Sequence, residues 1–404
     1  MLSIRKRFIQ RCILVFLVVP ALWPTDEAVE AILGHNFSSI VSISHKAWYL
    51  LSLCCVIFLF LVIKKVRVSA ITLYAVLLFT ILSISSFIND FYNINYIIDN
   101  ISGILLLFGI ANVWKYLNFK DYVYIWYVYI TISMLINSTV IYLLYPNGLY
   151  SGGLGNSTYY LYGLDNLSFI YSYIGFILGL IYNIFKQHCK NILHVVCYIY
   201  IFGAYIYTDA GTAKFILLAT VLVCVVFNRH FIKDISSVAA KLFIVSSFVL
   251  IICFSSLNLY TPILNALNKD ETFSGRTYLW SAVFKSLRNN YILGYGLNPN
   301  SISHVLYLYA PSWMSEFGHF HNVVLQYLFC GGIIAAVVVF MIWFKAFDKY
   351  YSNEKMDHKS QILLYICLLW LCFMFEFRIN TNLFWLIPCT IYYLDIINTN
   401  KDSA

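Results

Sequence analysis

Charge is scarce in this chain. Asp, Glu, Lys and Arg together supply 11% of its 404 residues, against 61% hydrophobic. Ordinary soluble domains carry about 25% charged residues. Alternation of polar and apolar residues is missing as well: the apolar runs are continuous, which excludes a β-barrel. Cysteine is absent from the one long polar stretch, residues 257–320, and no CxxC spacing occurs anywhere. That stretch therefore has no disulfide framework, and zinc is not suggested. Internal repeats, low-complexity runs and a separate soluble domain are missing too. What remains is an all-α polytopic membrane protein, one membrane domain over residues 1–404.

A bilayer takes about 20 mostly apolar residues per helix. Twelve segments qualify: 8–24, 47–63, 68–88, 96–114, 122–145, 167–185, 191–207, 213–227, 238–256, 322–344, 361–376 and 381–397. The Arg5-Lys6-Arg7 start followed by an apolar run resembles a signal peptide. Val19-Pro20-Ala21-Leu22-Trp23 makes a poor cleavage site, however, so an uncleaved first helix is expected. With the amino terminus in the cytoplasm, the cytoplasmic turns collect 19 of the 26 Lys and Arg residues. The positive-inside rule then puts both termini in the cytoplasm and the 257–320 loop outside. The net charge of +8 follows from this bias towards an anionic leaflet, and nothing calls for nucleic acid.

The 257–320 loop concentrates the chemistry. Ser274 reads as a helix N-cap, and Trp280, Val283, Phe284 and Leu287 recur at helical spacing. An amphipathic helix over 275–289 is expected, lying on the outer membrane surface. Arg276 falls on its first turn, where a cation opposes the helix dipole. A bound anion would reverse that sign, since helix-terminal amides and a guanidinium together suit phosphate. The alternative is an ordinary ion pair with Asp270 or Glu271. Gly294-Tyr295-Gly296 reads as loop punctuation, and Tyr291, Tyr295, Tyr307, Tyr309 and Trp313 suit either sugar stacking or an interfacial belt.

His319 and His321 stand just before the tenth span. A metal would need a third ligand, with only Glu316 and His304 near in sequence, so a neutral histidine acting as general base is preferred. A cap on the tenth helix is the structural alternative. Charges at membrane depth are functional candidates by default, which marks Arg378, with Glu376 two residues before it, and Lys214. Arg288 and Lys285 complete the outer cations of the helical stretch.

Taken in order, Ser274-Gly275-Arg276 with Trp280, Ile292-Leu293-Gly294-Tyr295-Gly296, and His321-Asn322 ahead of Gly331-Gly332 resemble the conserved region of the O-antigen polymerase and O-antigen ligase superfamily. The likeness is close over residues 272–335 and topological elsewhere. It implies a membrane glycosyltransferase of lipopolysaccharide and surface polysaccharide biosynthesis in the bacterial inner membrane, with its active site facing the periplasm. Such enzymes move glycan from undecaprenyl diphosphate to a sugar hydroxyl: a lipid-linked repeat unit for polymerases, lipid A core for ligases.

By position, Arg276 resembles the arginine that engages the diphosphate, and His321 the histidine that activates the acceptor. Lys214, Arg288, Arg378, Tyr295, Trp280 and Asn322 are the expected substrate-binding residues. The family's arginine near the middle of the chain is matched only by Lys214, which lacks the bidentate fork. The ligase-like spacing after His321-Asn322 reaches Gly332 but then finds Ala335, which tilts the reading to polymerase. No metal or other cofactor is required. A chain-length regulator and a flippase are the implied protein partners. The rival classes are a lipid-linked sugar transporter or flippase, expected to show inverted repeats and broken midplane helices, and a non-enzymatic assembly subunit.

Overall fold

The computed structural model describes residues 2–63, 66–152, 157–186, 192–208, 210–228, 235–257, 276–314, 318–352, 359–379 and 381–394. Among them lie fifteen α-helices. In chain order they are α1 (Leu2–Val18), α2 (Asp26–Leu33), α3 (His35–Val62), α4 (Ala70–Ile88), α5 (Ile94–Leu117), α6 (Phe119–Leu144), α7 (Asp165–Lys186) and α8 (Ile192–Tyr207). There follow α9 (Gly211–Asn228), α10 (Ser237–Leu257), α11 (Arg276–Leu287), α12 (Pro299–Tyr309), α13 (Val323–Tyr351), α14 (Lys359–Phe375) and α15 (Leu386–Tyr392). A small antiparallel hairpin pairs β1 (Tyr150–Gly152) with β2 (Ser157–Tyr159). Helix is what a lipid solvent dictates, because every backbone amide must find its partner within the segment.

Each of the twelve expected spans coincides with a helix. Six helices, α3 to α7 and α13, are long and apolar enough to cross a membrane alone, and α1 with α2 forms a pair bent by 94°. The remaining spans are shorter apolar helices. The last is broken: a 3₁₀ turn over Asn382–Trp385 leads into α15. Pro388 lies in the first turn of α15, where it costs no helical hydrogen bond.

The centre of the bundle is α5, buried on nearly every face from Asn100 to Trp114. It is covered by α3, α4, α6 and the final turn. By contrast α3 exposes Leu50, Leu51, Ile57, Phe58 and Leu61. Apolar surface of that extent is foreign to a soluble monomer and natural against acyl chains. Two ends separate. At one, Arg7 Nε and Nη2 each lie 2.9 Å from the Asp121 carboxylate, where Arg11 joins them, and Lys241 pairs with Asp348. At the other, the segment around Thr25, the hairpin, the α4–α5 turn, residues 276–322 and the turn after α14 come together. Thr25 N–H donates to Leu161 O (2.9 Å), Asn89 Nδ2 to Gly294 O (3.1 Å) and Asn166 Nδ2 to Glu376 Oε1 (3.3 Å).

Candidate functional site

The expected amphipathic helix is present as α11. Its apolar face is covered by protein, however, and not left for the membrane. Leu279, Trp280, Ala282, Val283 and Leu287 are buried against α10, α12 and α13. Ser274, Gly275, Asp270 and Glu271 lie outside the described residues, so the cap and those two ion-pair partners are not seen. Arg276 instead pairs with a carboxylate 100 residues away, Oε1 of Glu376.

Glu376 continues the last turn of α14 through its N–H to Cys372 O (2.8 Å) and is buried. Its second oxygen, Oε2, lies 3.1 Å from Nδ1 of His321. One carboxylate thus joins the two residues that the sequence singled out, from three different elements. Arg276 and His321 thus meet on the same buried group. A buried anion matched by cations and hydrogen bonds survives; stripped of a partner it costs roughly 3–5 kcal/mol. A carboxylate paired with arginine only accepts, so Nδ1 of His321 donates to it; in the neutral ring this leaves the lone pair on Nε2, the tautomer a general base needs.

His321 adopts φ +52°, a left-handed conformation in which His is several-fold enriched among residues other than Gly. The segment is held on both sides. Trp280 Nε1 donates to Phe320 O (3.1 Å), and Phe320 N–H donates to Gln326 Oε1 (3.1 Å). Asn322 caps α13 by accepting from Leu325 N–H (3.0 Å), and its Nδ2 donates to Met374 O (3.1 Å). Trp280 and Asn322, expected to bind substrate, thus have visible work in fixing the histidine loop. The His319 ring lies 4.1 Å from that of His321. Burial first, then the charges of His321, Arg378 and Arg276, keeps His319 neutral well below ordinary histidine pH.

The Gly294-Tyr295-Gly296 stretch is more than punctuation. Inside α13 Gly332 leaves helical geometry, with φ +65°, and frees two carbonyls in the turn before it. Tyr295 N–H donates to Phe329 O (2.7 Å), Gly296 N–H to Cys330 O (3.0 Å), and Ile333 N–H to Tyr291 O (2.9 Å). A Cβ on Gly332 would stand 1.9 Å from Ile292 O, and one on Gly294 2.3 Å from Phe329 O. Two glycine signals far apart in sequence are one backbone joint. Tyr295 stacks on Phe329 (centroids 5.0 Å), and its hydroxyl donates to Ser286 O (2.7 Å), tying the joint to α11.

The remaining expected residues are dispersed. Arg378 follows Glu376 and faces a cavity of about 670 Å³ on the side towards α2, α3 and α5. Lys214 is exposed on the first turn of α9 and Arg288 is exposed just past α11. Neither joins the Glu376 cluster by a hydrogen bond or ion pair among the described residues. Sequence reasoning named Glu376 only as the neighbour of Arg378. A carboxylate in an expected span was the available signal; its partners were not readable.

A family model described as O-antigen ligase matches residues 195–340, from α8 to the middle of α13. The matched stretch holds Arg276, the glycine joint and His321, and it supports the chain's place in the O-antigen polymerase and ligase superfamily. Members of that family are membrane glycosyltransferase-like enzymes of polysaccharide assembly that act on lipid-linked glycans. Comparison with curated proteins and with solved structures gives no match.

Proposed function

We propose that this chain, from the O-antigen polymerase and ligase superfamily, is a surface-polysaccharide polymerase of the bacterial inner membrane. It transfers a growing glycan from undecaprenyl diphosphate to a lipid-linked repeat unit on the periplasmic side. The observation that carries the reading is the shared carboxylate, Glu376, between Arg276 and His321. A phosphate-binding cation and an oriented base, a few ångströms apart, are the two groups such a transfer requires.

The chemistry follows from the leaving group. The acceptor hydroxyl oxygen attacks the anomeric carbon of the donor, and the bond from that carbon to the diphosphate oxygen breaks. Undecaprenyl diphosphate departs with the electron pair. Arg276 faces the charge that develops there; a preorganised donor of this kind contributes about 3–4 kcal/mol. The acceptor proton passes to Nε2 of His321, a step worth typically 10²–10⁴-fold. Glu376 positions both groups and stabilises the imidazolium, in the manner of a carboxylate behind a catalytic histidine. Arg378, Lys214 and Arg288 supply further cations for the lipid diphosphate or the glycan. Trp280, Asn322 and Tyr295 hold the loop in register.

Deleting the gene and analysing the glycolipids tests this. Single-repeat lipopolysaccharide is the expected result; lipid-linked polymer with bare core would make the enzyme a ligase. Arg276→Lys should lose most activity because an ammonium lacks the bidentate fork. His321→Asn should abolish polymer and His319→Asn should be milder. Near-normal polymer from Arg276→Ala, at equal protein abundance, would overturn the reading.

A further inference from the structure

The cavity beside Arg378 is separate from the Arg276–Glu376–His321 cluster, yet it adjoins that cluster through two neighbours in the chain. Arg378 lines it and lies two residues from Glu376; Leu167 lines it and follows Asn166, whose amide donates to Glu376. At about 670 Å³ it falls within the range of small-molecule sites. Its walls mix aromatic faces with polar groups, including Trp23, Asn95, Asp99, Asn382 and Lys46. That mixture suits a sugar, whose rings present apolar faces and whose edges present hydroxyls. Lipid tails would want neither Asp99 nor Asn382.

Two details sharpen the reading. The indole ring of Trp23 is stacked on His45 (5.1 Å, 11°), which fixes its orientation, and its Nε1 is buried without a hydrogen-bond partner among the described residues. The charges also lean one way. Lys46 is paired with Asp99 at 3.4 Å, which leaves Arg378 as the cation facing the other carboxylates of the lining. Asp26 and Glu27 outnumber Arg378, so the lining carries one more carboxylate than it has cations.

We infer that this cavity is the acceptor subsite, holding the sugars of the incoming repeat unit, and that it takes neutral or amino sugars in preference to uronic acids. This rests on the glycan-transfer reading. The acceptor lies against Trp23, exchanges hydroxyl hydrogen bonds with Asp99, Asn95 and Asn382, and reaches past Arg378 to present its terminal hydroxyl to His321.

The probe is the free oligosaccharide released by mild acid from the lipid-linked glycan that accumulates in cells lacking the gene. Its binding to the full-length protein in lipid nanodiscs is measured by calorimetry. Trp23→Ala and Asp99→Asn should each weaken binding about tenfold, the scale of one lost ring or hydrogen-bond contact. Trp23→Phe keeps a ring with a smaller face and should weaken binding less. His321→Asn should bind normally and transfer nothing. Tetragalacturonate should not displace the probe. Wild-type affinity in both Asp99→Asn and Trp23→Ala, or displacement by tetragalacturonate, would overturn the subsite. Retained transfer by His321→Asn would instead remove the underlying reading while leaving the binding result intact.

Discussion

Glu376 stands at the point where residue-scale chemistry and packing meet. Glu376→Gln removes the charge but keeps the shape, so Arg276 loses its anion and His321 can take the wrong tautomer. Transfer should fall about 10²–10⁴-fold, the usual contribution of a general base. Affinity for the free oligosaccharide should stay within a factor of two or so, as expected when a lost interaction acts on chemistry alone. Calorimetry and single-turnover transfer measure the two together. His319 titrates differently. Its folded pKa is depressed by burial and by the His321, Arg378 and Arg276 charges. Its stabilising effect is therefore complete above about pH 6.5, the unfolded value. It is lost as pH falls towards the folded value, because only the unfolded chain takes up that proton. Thermal melts in detergent from pH 8 to 5 should decline with acid, and His319→Asn should flatten the upper part of that decline. An unchanged slope in His319→Asn would refute the assignment. Of these residues, Arg276 and His321 could be picked from sequence because they stand in ordered motifs. Glu376 could not, because its partners lie 100 and 55 residues away along the chain.

Among the elements, α11 and the span after it were legible from periodicity and hydropathy, but the break inside α13 was not. Gly331-Gly332 reads as helix in an apolar run, and the Gly294 stretch reads as a turn. Only their meeting shows that each glycine exists for the other's backbone. Gly332→Ala should therefore destabilise strongly, by more than about 2 kcal/mol, since it combines a left-handed backbone with a clash against a carbonyl. Gly294→Ala should behave alike, with φ +68° and the same kind of clash. Gly318 offers the control: a Cβ there meets nothing within 4 Å, and Gly318→Ala should change stability by less than about 0.5 kcal/mol. Melting temperatures and surviving protein after mild proteolysis would rank the three. Equal behaviour of Gly318→Ala and Gly332→Ala would refute the joint.

At the scale of the whole molecule, the all-helical outline was readable because each apolar run coincides with a helix, six of them long and apolar enough to cross a membrane alone. Reporter fusions after Asp270 should show an extracytoplasmic location and those after Lys349 a cytoplasmic one; reversal at either site would overturn the orientation. The last span was the least legible. Its 3₁₀ turn serves contacts such as Asn382 over Gly103, where a Cβ would meet the Asn382 side chain, and hydropathy does not record such contacts. The joint between the Gly294 stretch and α13 has a consequence for biogenesis. Its two halves are separated by only about 40 residues and joined by main-chain bonds. The Gly294 stretch must therefore already be waiting when the following helix leaves the translocon, because two carbonyls released by Gly332 would otherwise enter lipid unsatisfied. Residues 276–351 are thus expected to assemble as a unit during synthesis. Glu376 follows that unit in the chain, so its contacts with Arg276 and His321 close only after α14 has been made.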